Sequence, residues 1–228
     1  MSLEQLLAER PDIWRGQGRD SSAPEGVSTG FVKLDQALPW HGWPSGGLSE
    51  ILTTHQGAAL ALVLPMLVAL SRRSRWLLLV DPPLVPFAPA LSARGLDLDR
   101  LVVAQAGDET AWAMEQALRS GACAAVLGWQ GRLEGRRGWP AGALRRLQLA
   151  ADAGDALAIL LREPDAAARP SPAVLRLSVE LVAGELVVTL LKQRGGRPGM
   201  QIRINAEAGP DLGARSIIPR PREIASLT

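Results

Sequence analysis

The sequence predicts an α/β fold: a doubly wound, mainly parallel sheet with an antiparallel hairpin extension toward the C-terminal end. Three observations carry this. Short apolar runs at 48–53, 76–80, 101–105, 122–127 and 155–161 alternate with helix-like segments, the pattern of successive βαβ units. The run WLLLV at 76–80 is continuously apolar, as in a strand buried on both faces. Beyond residue 172, VLRLSVELV and LVVTLLK alternate on either side of Ala183-Gly184, which reads as two strands joined by a tight turn.

A chain of 228 residues, 47% hydrophobic and 21% charged, suits one domain with tails. The division expected is an N-terminal helix and linker at 1–26, a core at 27–205 and a flexible tail at 206–228. The longest apolar run, 58–70, is interrupted by Pro65 and is too short to span a bilayer. The start MSLEQLLAERPDIWRG lacks the apolar centre of a signal peptide, so a cytoplasmic protein without a membrane partner is expected. The single Cys123 excludes an internal disulfide, and the two histidines, His41 and His55, are isolated, so no metal site is expected. Net charge is only +2 and nearly all cations are arginine. That bias is assigned chiefly to GC-rich coding; the functional reading is that guanidinium forks suit phosphate and carboxylate surfaces.

Residues 2–9 read as a short helix capped by Ser2 and stopped by Pro11, and 12–26 as a linker. Residues 31–38 form a short helix, and PWHGWPSGG at 39–47 a loop. In it Trp40 and Trp43 are expected either as exposed anchors or, the favoured reading, packed over their own loop. The strand at 48–53 leads into a helix at 57–70 that is apolar on nearly every side and therefore buried. Arg72, Arg73 and Arg75 follow it, at the negative end of its dipole. After the strand at 76–80 come a proline-rich loop to 89 and a short helix at 90–95 ending in glycine. The remaining helices are placed at 108–120 and 141–153, with loops at 128–138 and 163–172. Past 195 only 200–205 has strand character.

The stretch 28–59, STGFVKLDQALPWHGWPSGGLSEILTTHQGAA, has the layout of a phosphate-binding ATPase core: strand, turn, long helix. The turn should carry G-x-x-x-x-G-K-[ST], whose N–H groups, lysine and hydroxyl hold phosphate and Mg²⁺. It reads Thr53-Thr54-His55-Gln56-Gly57-Ala58-Ala59, with one glycine, no lysine and no hydroxyl after it. Val27-Ser28-Thr29-Gly30, Leu34-Asp35-x-Ala37-Leu38, Gly42-Trp43-Pro44-x-Gly46 and Glu50-Ile51 together resemble the start of the RecA recombinase core. In particular they resemble the ATPase-less, RecA-like and SulA-like proteins of the ImuA family, over about residues 27–198.

That resemblance implies a RecA-like core with degenerate nucleotide motifs. Beside the empty turn, an acid pair should follow the second strand; Asp81 matches, but the glutamate position falls on Pro83. A metal-holding aspartate should end a later strand; its position falls on Gly128, followed by Trp129. Phosphoryl transfer rests on positioning and charge neutralisation by such groups. The expectation is a non-enzyme with no cofactor, Asp81 being the best remaining acid. Arg132, Arg136, Arg137, Arg145 and Arg146, interleaved with Trp129 and Trp139, correspond to the first DNA-facing loop of RecA relatives. They suit single-stranded DNA, a protein partner or plain solvation. The second such loop would be 163–172. Lys192 and Arg194 match a basic pair that reaches a neighbouring subunit's nucleotide, and Arg220 and Arg222 lie in a tail resembling a docking motif.

The function expected from the resemblance is an accessory subunit of an SOS-induced translesion mutasome. It would bind an ImuB-like Y-family protein, with the RecA filament, an error-prone replicative polymerase and single-stranded DNA as further candidates, and with self-association through the N-terminal segment. The alternative expectation is a SulA-like division inhibitor that binds FtsZ. A third is an ATP-dependent recombination protein.

Overall fold

The computed structural model describes residues 26–130 and 139–205. The expected helix at 2–9, the linker and the tail lie outside the described residues. Eight strands form one sheet in the order β3-β2-β4-β5-β1-β6-β7-β8. They are β1 (Leu48–Leu52), β2 (Trp76–Val80), β3 (Leu101–Ala104), β4 (Cys123–Trp129), β5 (Leu157–Arg162), β6 (Leu175–Val182), β7 (Glu185–Gln193) and β8 (Gln201–Asn205). The first six run parallel; β7 runs antiparallel to its neighbours β6 and β8. The helices are α1 (Val32–Ala37), α2 (Gln56–Ser71), α3 (Ala88–Ala93), α4 (Thr110–Arg119) and α5 (Ala141–Ala153). No helix among the described residues is long and apolar enough to cross a membrane.

Two apolar layers sandwich the sheet. On one face Ile51, Leu77, Leu79, Leu127 and Ile159 pack under α2, which buries Leu62, Val63, Met66, Leu67 and Leu70. On the other face Leu48, Val80, Val126, Ala158 and Leu160 meet Met114 and Leu118 of α4 and Leu144 and Leu147 of α5. Successive strand residues point to opposite faces, so a strand covered on both sides must be apolar throughout. β4 and β5 are buried at every position. Cys123 is buried among these side chains. Burial pushes its thiol above the usual range, against the opposing pull of the Arg75 guanidinium.

The opening motif at 27–46 is a structural clasp. Asp35 of α1 accepts from the Thr29 N–H (2.8 Å), the Thr29 hydroxyl (2.6 Å) and the Ser28 hydroxyl (2.6 Å). Val27 pairs with Trp43 across an isolated bridge, and a Cβ on Gly42 would stand 2.3 Å from the Val27 carbonyl oxygen. Trp43 is thereby fully buried and Trp40 packs against the same core. The exposed-anchor reading of Trp43 is corrected: the bridge turns its ring inward.

The hairpin is present, with Ala183 and Gly184 both at positive φ, as a two-residue turn that matches strand twist requires. β6 is also a parallel neighbour of β1, so the chain must return from the end of β5 to the start of β6. Residues 163–174 make that return. They contain a short 3-10 helix, Pro164–Ala168, and bury Ala166 and Ala173. The segment at 163–172, expected as a plain loop, is a crossover with a 3-10 helix, anchored to the sheet through Ala166.

Candidate functional site

Ligands of open α/β sheets gather at the carboxyl ends of the strands; the β1–α2 turn, Asp81 and Gly128 lie there, whereas Lys192 and Arg194 lie at the opposite end, beside the start of β6. The connection from β1 to α2 is Thr53-Thr54-His55 alone. A phosphate loop has four residues between its two glycines before its lysine. Three residues are too few to wrap a phosphate. The Thr53 hydroxyl instead accepts from the His55 N–H at 2.9 Å, closing the turn on itself. Thr54, His55 and Gly57 are exposed, whereas Ala58 and Ala59 lie on the buried side of α2. Gln56, the first residue of α2, accepts a hydrogen bond from the Trp129 indole N–H at 2.9 Å. Trp129 is buried, so an indole covers the helix start.

Gly128 has a packing reason. A Cβ there would stand 2.1 Å from the Met114 sulfur, and Met114 is fully buried. A side chain at this position requires the Met114 thioether to move. The expected loop at 128 is corrected, since β4 continues to Trp129. Asp81 sits at positive φ and accepts from the Ala106 N–H (2.7 Å), the Gly107 N–H (3.1 Å) and the Thr110 hydroxyl (2.5 Å). Both carboxylate oxygens are engaged in tying the end of β2 to the turn after β3.

Sequence reasoning missed a buried ionic cluster. Glu50, fully buried in the middle of β1, binds Arg162 of β5 (2.9 Å) and Arg176 of β6 (2.7 Å). It also accepts from the Ser171 hydroxyl at 2.6 Å. Arg162 extends to Gln130 at 2.5 Å. Arg176 donates to the Ala166 and Arg169 carbonyls. Lys192 of β7, beside Arg176 in the register, donates to the Ser171 carbonyl at 2.8 Å. Burial, reinforced by Arg176 and Arg194 against the attraction of Glu50, pulls the Lys192 ammonium below its ordinary range. The cluster fastens the 163–174 crossover to the sheet by polar contacts where a helix would use apolar ones. The signal for it was a lone glutamate inside the apolar run LSEIL.

The expected arginine patch is only partly assembled. Arg132, Arg136, Arg137, Arg220 and Arg222 lie outside the described residues. Trp139 is half-buried and packs against the α4–α5 core, so its ring is not a free stacking platform. Arg145 is exposed. Arg146 bridges from α5 to Glu115 of α4 at 2.9 Å, and Glu115 also holds Arg119. Arg194 is exposed, while Lys192 is held by its own crossover. Beside the β1–α2 turn, a groove of about 280 Å³ is lined by Thr53, His55, Pro164, Glu180, Leu181 and Val182. No group of three His, Cys, Asp or Glu side chains among the described residues could hold a metal ion.

Residues 46–158 match the model of the family "Cell division inhibitor SulA". A protein named cell division inhibitor SulA from Edwardsiella piscicida is 38% identical over 136 residues, 57% of this chain and 77% of the relative. One from Serratia marcescens, bearing the same name, is 34% identical over 126 residues, 53% of this chain and 70% of the relative. The chain belongs to the SulA family. Among solved structures the RadB recombinase superposes with a TM-score of 0.63 at 17% identity, covering 78% of this chain and 94% of that one, which shows a RecA-like fold and nothing further. SulA membership overturns the expectation of a translesion mutasome subunit: these curated relatives are named as division inhibitors.

Proposed function

We propose that this chain is a SulA-type inhibitor of cell division, binding FtsZ and halting its assembly by occupancy, without turning over a nucleotide of its own. The observation that carries this is the identity of 34–38% over most of the length of curated SulA relatives. Two features of the molecule support the non-enzymatic half. The β1–α2 turn is three residues long with Trp129 bonded to Gln56 just after it, and the space beside Gly128 is filled by the Met114 side chain. What remains at the carboxyl edge is surface, suited to docking rather than to phosphoryl transfer. The resemblance to ImuA belongs to the same SulA-like grouping; we keep it as a proposal about ancestry, not function.

The test is the GTPase and sedimentation of purified FtsZ titrated with the full chain. Inhibition that saturates near equimolar protein, with no hydrolysis of ATP by the chain itself, is the expected result. FtsZ turnover unchanged at large molar excess would sink the proposal. A Mg²⁺-dependent ATPase of the chain would sink its non-enzymatic half.

A further inference from the structure

β6 outruns its parallel neighbour. β1 pairs with it only as far as Leu52 and Ser178, while β7 accompanies it on the other side to Val182. Residues 179–182 therefore have a strand on one side alone. The two-residue turn at Ala183-Gly184 closes on the Val182–Glu185 pair, the position at which a hairpin bonds across its own ladder. Alternate residues of an antiparallel ladder direct their N–H and C=O to opposite sides, so those of Leu181 face away from β7. β1 has ended by then, and the groove of about 280 Å³ occupies the space.

The walls of the groove are apolar and acidic. Leu181 and Val182 are 51% and 41% exposed. Being consecutive, they point to opposite faces, so each face of the strand end is bare. Glu180 and Glu163 are exposed, and no ion pair among the described residues holds either. The groove is smaller than the pockets that enclose drug-sized molecules, about 300–1,000 Å³. With a bare backbone edge along one wall, it is shaped for a short extended peptide added as a strand.

We propose that the occupant is the C-terminal segment 215–222 of this same chain. Asn205, the last residue of β8, pairs with Glu185, which pairs with Val182, so the chain leaves the sheet at the end where the groove lies. Residues 206–216 reach up to about 36 Å when extended, against roughly 15 Å across three strand spacings from β8 to the groove. The segment reads RSIIPRPR, with three arginines and no acid, the complement of Glu180 and Glu163. Ile218 and Arg220 each precede a proline, which holds them extended. Ile217 and Ile218, being consecutive, give one apolar side chain to each face of an added strand, as Leu181 and Val182 do. This does not depend on the division-inhibitor reading and stands or falls without FtsZ.

The experiment is residue-resolved hydrogen exchange of the full chain, wild type against Ile217→Asp combined with Ile218→Asp. The Leu181 amide of the wild type is expected to be protected to the same degree at every protein concentration. The double variant removes the apolar contact, and Leu181 is expected to exchange at least about ten-fold faster, with the β7 amides and the far-ultraviolet spectrum unchanged. If that variant fails to fold, Glu180→Arg decides: the same loss at Leu181 is expected, restored when Arg215→Glu and Arg220→Glu are added. Equal exchange of Leu181 in the wild type and the folded double variant overturns the proposal, as does a Glu180→Arg chain whose Leu181 protection is unchanged or is not restored. Protection that grows with concentration also overturns it, because the groove then takes the tail of a second copy.

Discussion

Glu50 is the residue on which most of the interior polarity depends. It is fully buried, and it is balanced by two guanidiniums whose side chains are 2% and 8% exposed. Removing one member of such a buried group leaves the others as uncompensated charges, at a cost of about 3–5 kcal/mol. Glu50→Ala is therefore expected to lower the unfolding free energy obtained from urea titration by that much or to abolish folding. A loss below about 1 kcal/mol, the range of surface pairs, would show that the cluster is wet. The glutamate itself was visible as a charge inside LSEIL. Its partners lie 112 and 126 residues away in sequence, so no local pattern could pair them. Asp81 shows the same limit. Its type and place suggested a site, and the structure spends its oxygens on two backbone N–H groups and a hydroxyl of the turn after β3.

At the scale of elements, β4 and α4 are locked by the absence of a side chain at Gly128. Gly128→Ala pushes into Met114 and is expected to cost about 1–3 kcal/mol, as overpacking does. Met114→Ala in the same chain should return part of that loss, since the two sites share one space. Thermal unfolding of the two single variants and the double variant measures this; strictly additive losses would deny the contact. The alternation of helices and strands was legible because a two-sided sheet demands continuous apolar strands. What was not legible was how the chain passes from β5 to β6. Residues 163–172 read as an open loop because they lack an apolar stripe, and they are held instead by Arg176, Ser171 and Lys192.

Across the whole molecule, the SulA match ends at residue 158, within β5, whereas the described sheet continues through β6, β7 and β8. These three strands are integral. β6 covers the open side of β1, supplies Arg176 to Glu50 and contributes Leu175, Leu177 and Val179 to the core under α2. A chain ended after residue 162 bares β1 as an apolar edge and leaves Glu50 with one of its two arginines. It is expected to lose its cooperative denaturant transition and to aggregate through that edge. A soluble truncated chain with a sharp transition would show that the C-terminal hairpin is an appendage.

By itself the sequence determined the layered α/β architecture, the tight turn at Ala183-Gly184 and the lack of phosphate-binding residues after β1. All three follow from local periodicity and residue type, which act over a few positions of chain. Only the tertiary structure decided which strands are neighbours, that Trp129 closes over Gln56, that Gly128 is held by Met114, and that Glu50 binds Arg162 and Arg176. Those facts depend on contacts between residues far apart in sequence. Side chains recruited from distant strands leave no periodic trace, because nothing in the spacing along the chain records the order in which the strands assemble.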